Sequence, residues 1–203
     1  FSVNETKIYN KNNKPYVFIG DIRLKGKHNL SNLIAAATVS KLMKVDDKII
    51  KRTMENFNGI DHRLQTVREI NEVIYINDSK ATNIHSVIVA INSFEKPIIL
   101  LLGGKNKNSD FRLLLPHTKR HVKHIVSYGE AGGEIATAIG DAVRLNRVSS
   151  LSQAVASAHN LASPGDIVLM SPGCASFDEF KNFEGRGKKF TDLVNDLAGV
   201  ACD

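Results

Sequence analysis

The sequence predicts an α/β protein: a Rossmann-like, mostly parallel sheet with one antiparallel hairpin, preceded by the tail of a different domain. Three observations carry this. Beyond residue 60, short apolar runs such as 97–102 and 166–170 alternate with helical repeats such as 83–93 and 150–161, the pattern of strands covered on both faces. Asn58-Gly59-Ile60-Asp61 breaks the preceding helical pattern and marks a boundary, since Asn and Gly punctuate regular structure. Residues 1–57 show no such alternation. The expected domains are 1–60 and 61–203.

In order along the chain, residues 7–24 read as a hairpin. Lys7-Ile8-Tyr9 and Tyr16-Val17-Phe18-Ile19 flank a polar turn around 10–14, with strand runs bounded by turn residues. An Ala-rich helix is expected over 30–43. A second spans about 46–57, where Asp46-Asp47 sit well for the positive end of the helix dipole. After the boundary, strands are expected at 64–69, 73–77, 97–102, 123–128, 142–146 and 166–170. Helices are expected at 83–93, 110–116, 131–139, 150–161 and 185–198. The first two strands are joined only by Ile70-Asn71-Glu72, too short for a crossover, so they form the antiparallel hairpin.

Composition excludes several classes. At 203 residues, with 42% hydrophobic and 24% charged residues, the chain reads as an ordinary globular protein. No apolar run approaches the roughly 18 residues of a membrane span, and Phe1-Ser2-Val3-Asn4-Glu5 resembles no signal peptide. Two cysteines, Cys174 and Cys202, make neither a disulfide framework nor a four-thiolate site, so a cytoplasmic setting is expected. The net charge of +6 does not imply nucleic acid, because basic and acidic residues are interleaved and aromatics are only 6%. His117, His121 and His124 would share a helical face, but no carboxylate or cysteine joins them. No metal site is expected.

The chemistry gathers at three strand ends, where ligands of parallel α/β sheets collect. Asp78-Ser79-Lys80-Ala81-Thr82-Asn83 follows the strand 73–77 and opens a helix, a junction whose free N–H groups suit an anion. Leu101-Leu102-Gly103-Gly104-Lys105-Asn106-Lys107-Asn108-Ser109-Asp110 offers paired glycines and two lysines, and Ser171-Pro172-Gly173-Cys174-Ala175-Ser176 ends another strand. Lysines, hydroxyls and N–H donors together favour a small dianionic ligand, although each loop alone also reads as turns and helix caps. No Gly-x-x-x-x-Gly-Lys-Ser/Thr loop and no Gly-x-Ser-x-Gly elbow occur. Gly129-x-x-Gly132-Gly133 reads as a strand-to-helix turn, and Cys174 as a small residue packing its turn rather than a nucleophile.

These segments resemble the Mur ligases, most closely the branch that adds D-glutamate. The matching pieces are Gly26-Lys27-His28-Asn29-Leu30-Ser31-Asn32, His62-Arg63-Leu64-Gln65, Asp78 to Asn83, Leu101 to Phe111, and Ser171 to Arg186-Gly187. The resemblance covers nearly the whole chain. Asp-Ser-Lys-Ala-Thr-Asn discriminates, because sister ligases and folylpolyglutamate synthases carry His-Asn or Asn-Pro motifs there. The resemblance implies that residues 1–60 end a central ATP-binding domain and 61–203 form the acceptor amino-acid domain. It also implies that the chain is part of a three-domain enzyme, inactive alone, whose phosphate loop and magnesium ligands lie elsewhere.

That enzyme would be a cytoplasmic, monomeric, ATP- and Mg2+-dependent amide ligase of peptidoglycan precursor synthesis, serving cell-wall formation and division. It would join D-glutamate to UDP-N-acetylmuramoyl-L-alanine through an acyl phosphate. By motif, Thr82, Lys107, Ser176 and the backbone around Phe177 and Phe183 would clamp D-glutamate. Lys80 would stabilise developing charge. Asn29 and Asn32 would face adenine, and Arg63 and Asp78 would approach the ATP ribose, the hinge after Gly59 closing the acceptor domain over the nucleotide. On spacing alone, Asn29 and Asn32 read as helix caps and Arg63 as a surface ion pair. The remaining alternatives are a Mur ligase with another acceptor, or a non-catalytic amino-acid- or nucleotide-binding module. Departures from the family pattern are Gly173, Gln65, His85 and the pair Lys105-Asn106, of which Lys105 adds a cation beside the acceptor loop.

Overall fold

Two stretches of chain, 1–59 and 60–203, each close around a core of their own. The structure, a computed structural model, describes residues 2–4, 7–10, 12–22 and 27–199. Lys11 of the expected turn, the end of the expected hairpin at 23–24, and Gly26 of the first matching segment lie outside the described residues.

In the first unit, β1 (Ser2–Val3), β2 (Lys7–Tyr9) and β3 (Pro15–Phe18) form an antiparallel sheet in that order. The expected hairpin is β2–β3, and the two-residue β1 adds to it. Asn10 closes the turn, its Oδ1 accepting the N–H groups of Asn12 and Lys14 at 3.0 and 3.1 Å. A 3-10 turn (Ile19–Asp21) follows, then α1 (Lys27–Leu42) and α2 (Asp47–Asn56). The side chain of Asp46 caps α2 by accepting the Lys48 N–H at 2.8 Å. Cross-strand partners Ile8 and Val17 are buried with Leu33 and Ala37 of α1 and Ile50 and Met54 of α2, each helical pair at i,i+4 and hence on one face. Because α1 starts at Lys27, Asn29 and Asn32 fall within its first turns rather than before it. The capping alternative for them fails.

The second unit contains β4 (Gln65–Ile70), β5 (Val73–Asn77), α3 (Ile84–Ile91), β6 (Ile98–Gly103), a 3-10 turn (Phe111–Leu114) and α4 (Leu115–His121). It continues through β7 (Val122–Tyr128), α5 (Gly132–Ile139), a 3-10 turn (Gly140–Ala142), β8 (Leu145–Arg147), α6 (Leu151–Leu161), β9 (Ile167–Gly173) and α7 (Phe183–Gly199). The sheet order is β4-β5-β9-β6-β7-β8, antiparallel only between β4 and β5. Asn71 and Glu72, both at positive φ (49° and 62°), make that hairpin's tight turn.

Strand alternation divides the core. Ile98, Leu100 and Leu102 are buried with Ile84, Val87 and Ile91 of α3 and Ile135 and Ile139 of α5. Their neighbours Ile99 and Leu101 are buried with Leu151, Val155 and Ala158 of α6 and Phe190 and Val194 of α7. Period-two side chains on strands meet period-3.6 faces on helices. All six residues of β6 are buried, as a central parallel strand requires.

Two expectations are corrected. The helix placed at 110–116 is a 3-10 turn running into α4, which extends to His121 and passes without a loop into β7. Pro116 in the first turn of α4 starts the helix instead of ending it. Consequently His124 lies in β7, and the three histidines share no helical face. The strand placed at 142–146 is shorter and later, because the 3-10 turn prolongs α5 to Ala142.

Candidate functional site

β5, β9 and β6 are consecutive in the sheet, so the three polar loops that leave their carboxyl ends must be neighbours. Hydrogen bonds tie them together. From the first loop, the Asp78 N–H donates to the Met170 carbonyl at 2.8 Å, and the Ala81 carbonyl accepts the Gly173 N–H at 2.9 Å. The second and third loops exchange a pair of backbone bonds, Lys105 N–H to Ala175 O at 2.8 Å and Ala175 N–H to Lys105 O at 3.0 Å.

Beneath them lies Arg186 of α7, with no exposed surface. Its Nε and Nη2 donate to the Ser79 hydroxyl (3.0 Å) and carbonyl (2.9 Å), and its Nη1 donates to the Cys174 carbonyl (3.1 Å). The Ser79 hydroxyl in turn donates to the Phe183 carbonyl at 2.7 Å. A Cβ at Gly104 would lie 2.3 Å from the Ala175 carbonyl and 3.1 Å from Arg186 Nη1. One guanidinium therefore bonds the first and third loops directly, and the Lys105–Ala175 backbone pair ties the second loop to the third. Gly187, next in sequence, packs against His62: a Cβ there would stand 2.2 Å from His62 Nδ1. Arg186 entered the sequence reading only as the end of a matching segment; the Gly185-Arg186-Gly187 triplet opening a helix is the signal that marks it.

Above this brace, two ammonium groups lack carboxylate partners among the described residues. Lys80 Nζ sits 3.8 Å from the ring centroid of Phe183, and Lys107 Nζ sits 5.6 Å from that of Phe177, both within cation–π range. Phe177 is 62% exposed, unusual for so large an apolar side chain beside polar loops. Ser176 is 3% exposed, and neither its hydroxyl nor that of half-buried Thr82 is engaged within the described residues. Phe183 is the first residue of α7, so its N–H belongs to the turn whose donors have no intrahelical acceptor. Among the described residues the two cations and two hydroxyls thus have no internal anionic partner, while the start of α7 is capped by Asn182, whose Oδ1 accepts the Gly185 N–H at 2.8 Å. Lys105 is different. Its Nζ pairs with Glu130 at 3.6 Å, so the extra cation expected beside this loop is already matched.

Other polar residues are committed internally. Asp78, 7% exposed, accepts from the Ser171 hydroxyl at 2.8 Å and the Leu64 N–H at 3.2 Å. Burial pushes its carboxyl up to about 6, against the opposing pull of these bonds and of Arg63. Arg63 is exposed on the adjoining turn. Asn77 is buried. Its amide donates toward the Gly187 carbonyl at 2.9 Å and His62 Nδ1 at 3.1 Å, while the His62 carbonyl accepts the Lys80 N–H at 3.0 Å. Sequence reasoning gives neither a role: His62 enters only as the start of a matching segment and Asn77 as the end of a strand, since a turn residue and a strand-ending amide carry no pattern of their own. Cys174 is 1% exposed, with its thiol pushed up to about 12 by burial, which removes it as a nucleophile at neutral pH. Asn29 and Asn32 belong to the first unit. Among the described residues, no group of three or more His, Cys, Asp or Glu side chains could hold a metal ion, and no helix is long and apolar enough to cross a membrane.

The sequence model of the family described as Mur ligase, glutamate ligase domain, matches residues 62–174. The UDP-N-acetylmuramoylalanine--D-glutamate ligase of Acidobacterium capsulatum is 43% identical over 188 residues, covering 93% of this chain and 41% of the relative. Its namesake from Christiangramia forsetii is 40% identical over 196 residues, covering 96% and 44%. Among solved structures, MurF from Acinetobacter baumannii is similar in fold, with a TM-score of 0.64 at 16% identity over 88% of this chain and 39% of that one. The chain spans about two fifths of the length of the curated relatives it matches.

Two measurements test this architecture. Arg186→Met leaves two carbonyls and a hydroxyl without their donor and is expected to cost on the order of 3 kcal/mol, read as a lowered urea midpoint of the second unit. A loss under about 1 kcal/mol would remove Arg186 from this role. For Asp78, the folded carboxyl binds its proton more tightly than the unfolded one. Its contribution is therefore fully present below about pH 4 and is lost as pH rises through about 6. Asp78→Asn should unfold like wild type at pH 4 but be more stable at pH 7, by at most about 3 kcal/mol. A difference that does not grow between those pH values would contradict the assignment.

Proposed function

The chain belongs to the Mur ligase family, and we propose from that premise that it is the acceptor-binding part of an ATP-dependent amide ligase. That enzyme joins D-glutamate to UDP-N-acetylmuramoyl-L-alanine in peptidoglycan precursor synthesis. Residues 1–60 are read as the end of the ATP-binding domain and 61–203 as the acceptor domain. The observation that carries the reading is the pair of ammonium groups, Lys80 and Lys107, held over aromatic rings without carboxylate partners among the described residues.

In this reading the two carboxylates of D-glutamate meet Lys107, the hydroxyls of Thr82 and Ser176, and the N–H groups near Phe177 and Phe183. A dianion is bound where cations and donors are left unpaired. The substrate carboxylate, activated as an acyl phosphate, is attacked by the acceptor amine. The nitrogen lone pair forms the C–N bond, the carbonyl oxygen takes the charge, and collapse expels phosphate while the nitrogen loses its proton. Lys80 lies beside this centre and stabilises the oxyanion electrostatically. Holding amine and acyl carbon in line supplies much of the acceleration. Arg63 would donate to a ribose hydroxyl, and Asp78, whose carboxylate oxygens each accept only one internal bond among the described residues, keeps acceptor capacity for another; Asn29 and Asn32 remain the proposed adenine contacts. ATP is consumed as a substrate. Magnesium would be held by residues other than those described, so no role here depends on a metal ligand of this chain. We further read the enzyme as a cytoplasmic monomer.

The test is an acceptor panel with the full-length enzyme containing this chain, following phosphate release. D-glutamate should support turnover, and its replacement by D-alanine or L-lysine should not. Lys107→Ala should raise the KM for D-glutamate about 10- to 100-fold, the effect of one lost charged contact, with the KM for ATP unchanged. Turnover with a non-acidic acceptor, or an unaltered acceptor KM in the variant, would overturn the reading.

A further inference from the structure

We propose that Asp178 is a positioning residue for the acceptor, an inference that rests on the acceptor-binding reading of this site. Asp178 lies two residues after Ser176 and one after Phe177, and it is half-buried. Its Oδ2 accepts the Glu130 N–H at 3.1 Å, in the turn between β7 and α5. The next N–H of that turn, from Ala131, donates to the Gly104 carbonyl at 2.8 Å. Gly104 is the stem of the loop that carries Lys107. One short turn thus grips both halves of the clamp, the lysine loop through Gly104 and the serine–phenylalanine loop through Asp178.

The turn is shaped around this carboxylate. Gly129 stands at φ 70°, and a Cβ there would lie 2.3 Å from Asp178 Oδ2, so the aspartate occupies space that any other residue would fill. The segment is fixed on its far side as well: Glu179 Oε2 accepts the Leu151 N–H at the start of α6 at 3.1 Å. The Ser176 carbonyl accepts the N–H groups of Glu179 and Phe180 at 3.2 and 2.8 Å, closing a tight turn. Asp178 makes no ion pair among the described residues. Its Oδ2 is engaged by a backbone N–H, which aims the carboxylate at the turn. The aspartate therefore acts through Ser176, Phe177 and Lys107 and touches no reacting atom.

Kinetics of the full-length enzyme test this. Asp178→Ala should raise the KM for D-glutamate about tenfold, as expected for one lost charge-assisted bond, with kcat at saturating acceptor and the KM for ATP within about twofold of wild type. Asp178→Asn keeps an oxygen that accepts the same N–H, folds as an isostere, and should recover to within about threefold of wild type. An acceptor KM unchanged in both variants overturns the proposal. So does a rise shared equally by ATP and acceptor, or an asparagine variant no better than the alanine one. Failure of wild-type enzyme to use D-glutamate would instead sink the functional reading itself, so the two failures are distinct.

Discussion

The second unit depends on one buried cation. Burying a guanidinium is costly unless its N–H groups are satisfied, and Arg186 meets this with two carbonyls and a hydroxyl rather than a carboxylate. The consequence is geometric. Loop carbonyls normally turn toward water; here those of Ser79 and Cys174 are drawn inward onto one planar group, and a fork of donors fixes their directions as well as their distances. Two of the strand ends are thereby set relative to one another by a side chain with no exposed surface.

A division of labour follows. Ser79, Ser171, Asn77, Asp78 and Arg186 are buried, and their hydrogen bonds go to backbone, to each other, or to His62 and Thr191. Lys80, Lys107, Ser176 and Thr82, interleaved with them in sequence, are left without such partners among the described residues. Alternation along Asp78-Ser79-Lys80-Ala81-Thr82 separates the two sets: Ser79 and Ala81 are buried, Lys80 is exposed and Thr82 is half-buried. A rigid layer beneath a row of unengaged groups is what precise binding of a small charged molecule requires.

The sequence disclosed the strands beyond residue 60 and the loops that follow them, because runs such as Ile98-Ile99-Leu100-Leu101-Leu102 are too short for helices and too apolar for a sheet edge. Lys80, Lys107 and Ser176 were singled out by the resemblance to the Mur ligases, because the loops that hold them read, one at a time, as turns and helix caps. Helix boundaries were harder to read. Leu113-Leu114-Leu115 fits a 3-10 turn or an α-helix equally well, and only packing beneath α3 decides. Arg186 and Asp178 were least legible. A charged residue at a helix start or in a polar loop reads as solvated, and its true role depends on carbonyls or an N–H contributed from 12 to 107 residues away, which no local pattern encodes.

The choice of partner for the two lysines has its own logic. A carboxylate beside either ammonium would hold it in place but would also neutralise it, and an incoming anion would then have to break that pair. An aromatic face restrains the ammonium weakly, by about 0.5–1 kcal/mol at an exposed position, while leaving its charge uncancelled. Phe183 beneath Lys80 and Phe177 near Lys107 do this, and the neighbouring Lys105, matched by Glu130, shows the alternative within the same loop. An ammonium held only by an aromatic face keeps its place only where the fold fixes that face. That requirement returns to the braced loops below: the rings can carry the lysines because the backbone beneath Phe183 is held by Ser79, and Ser79 by Arg186.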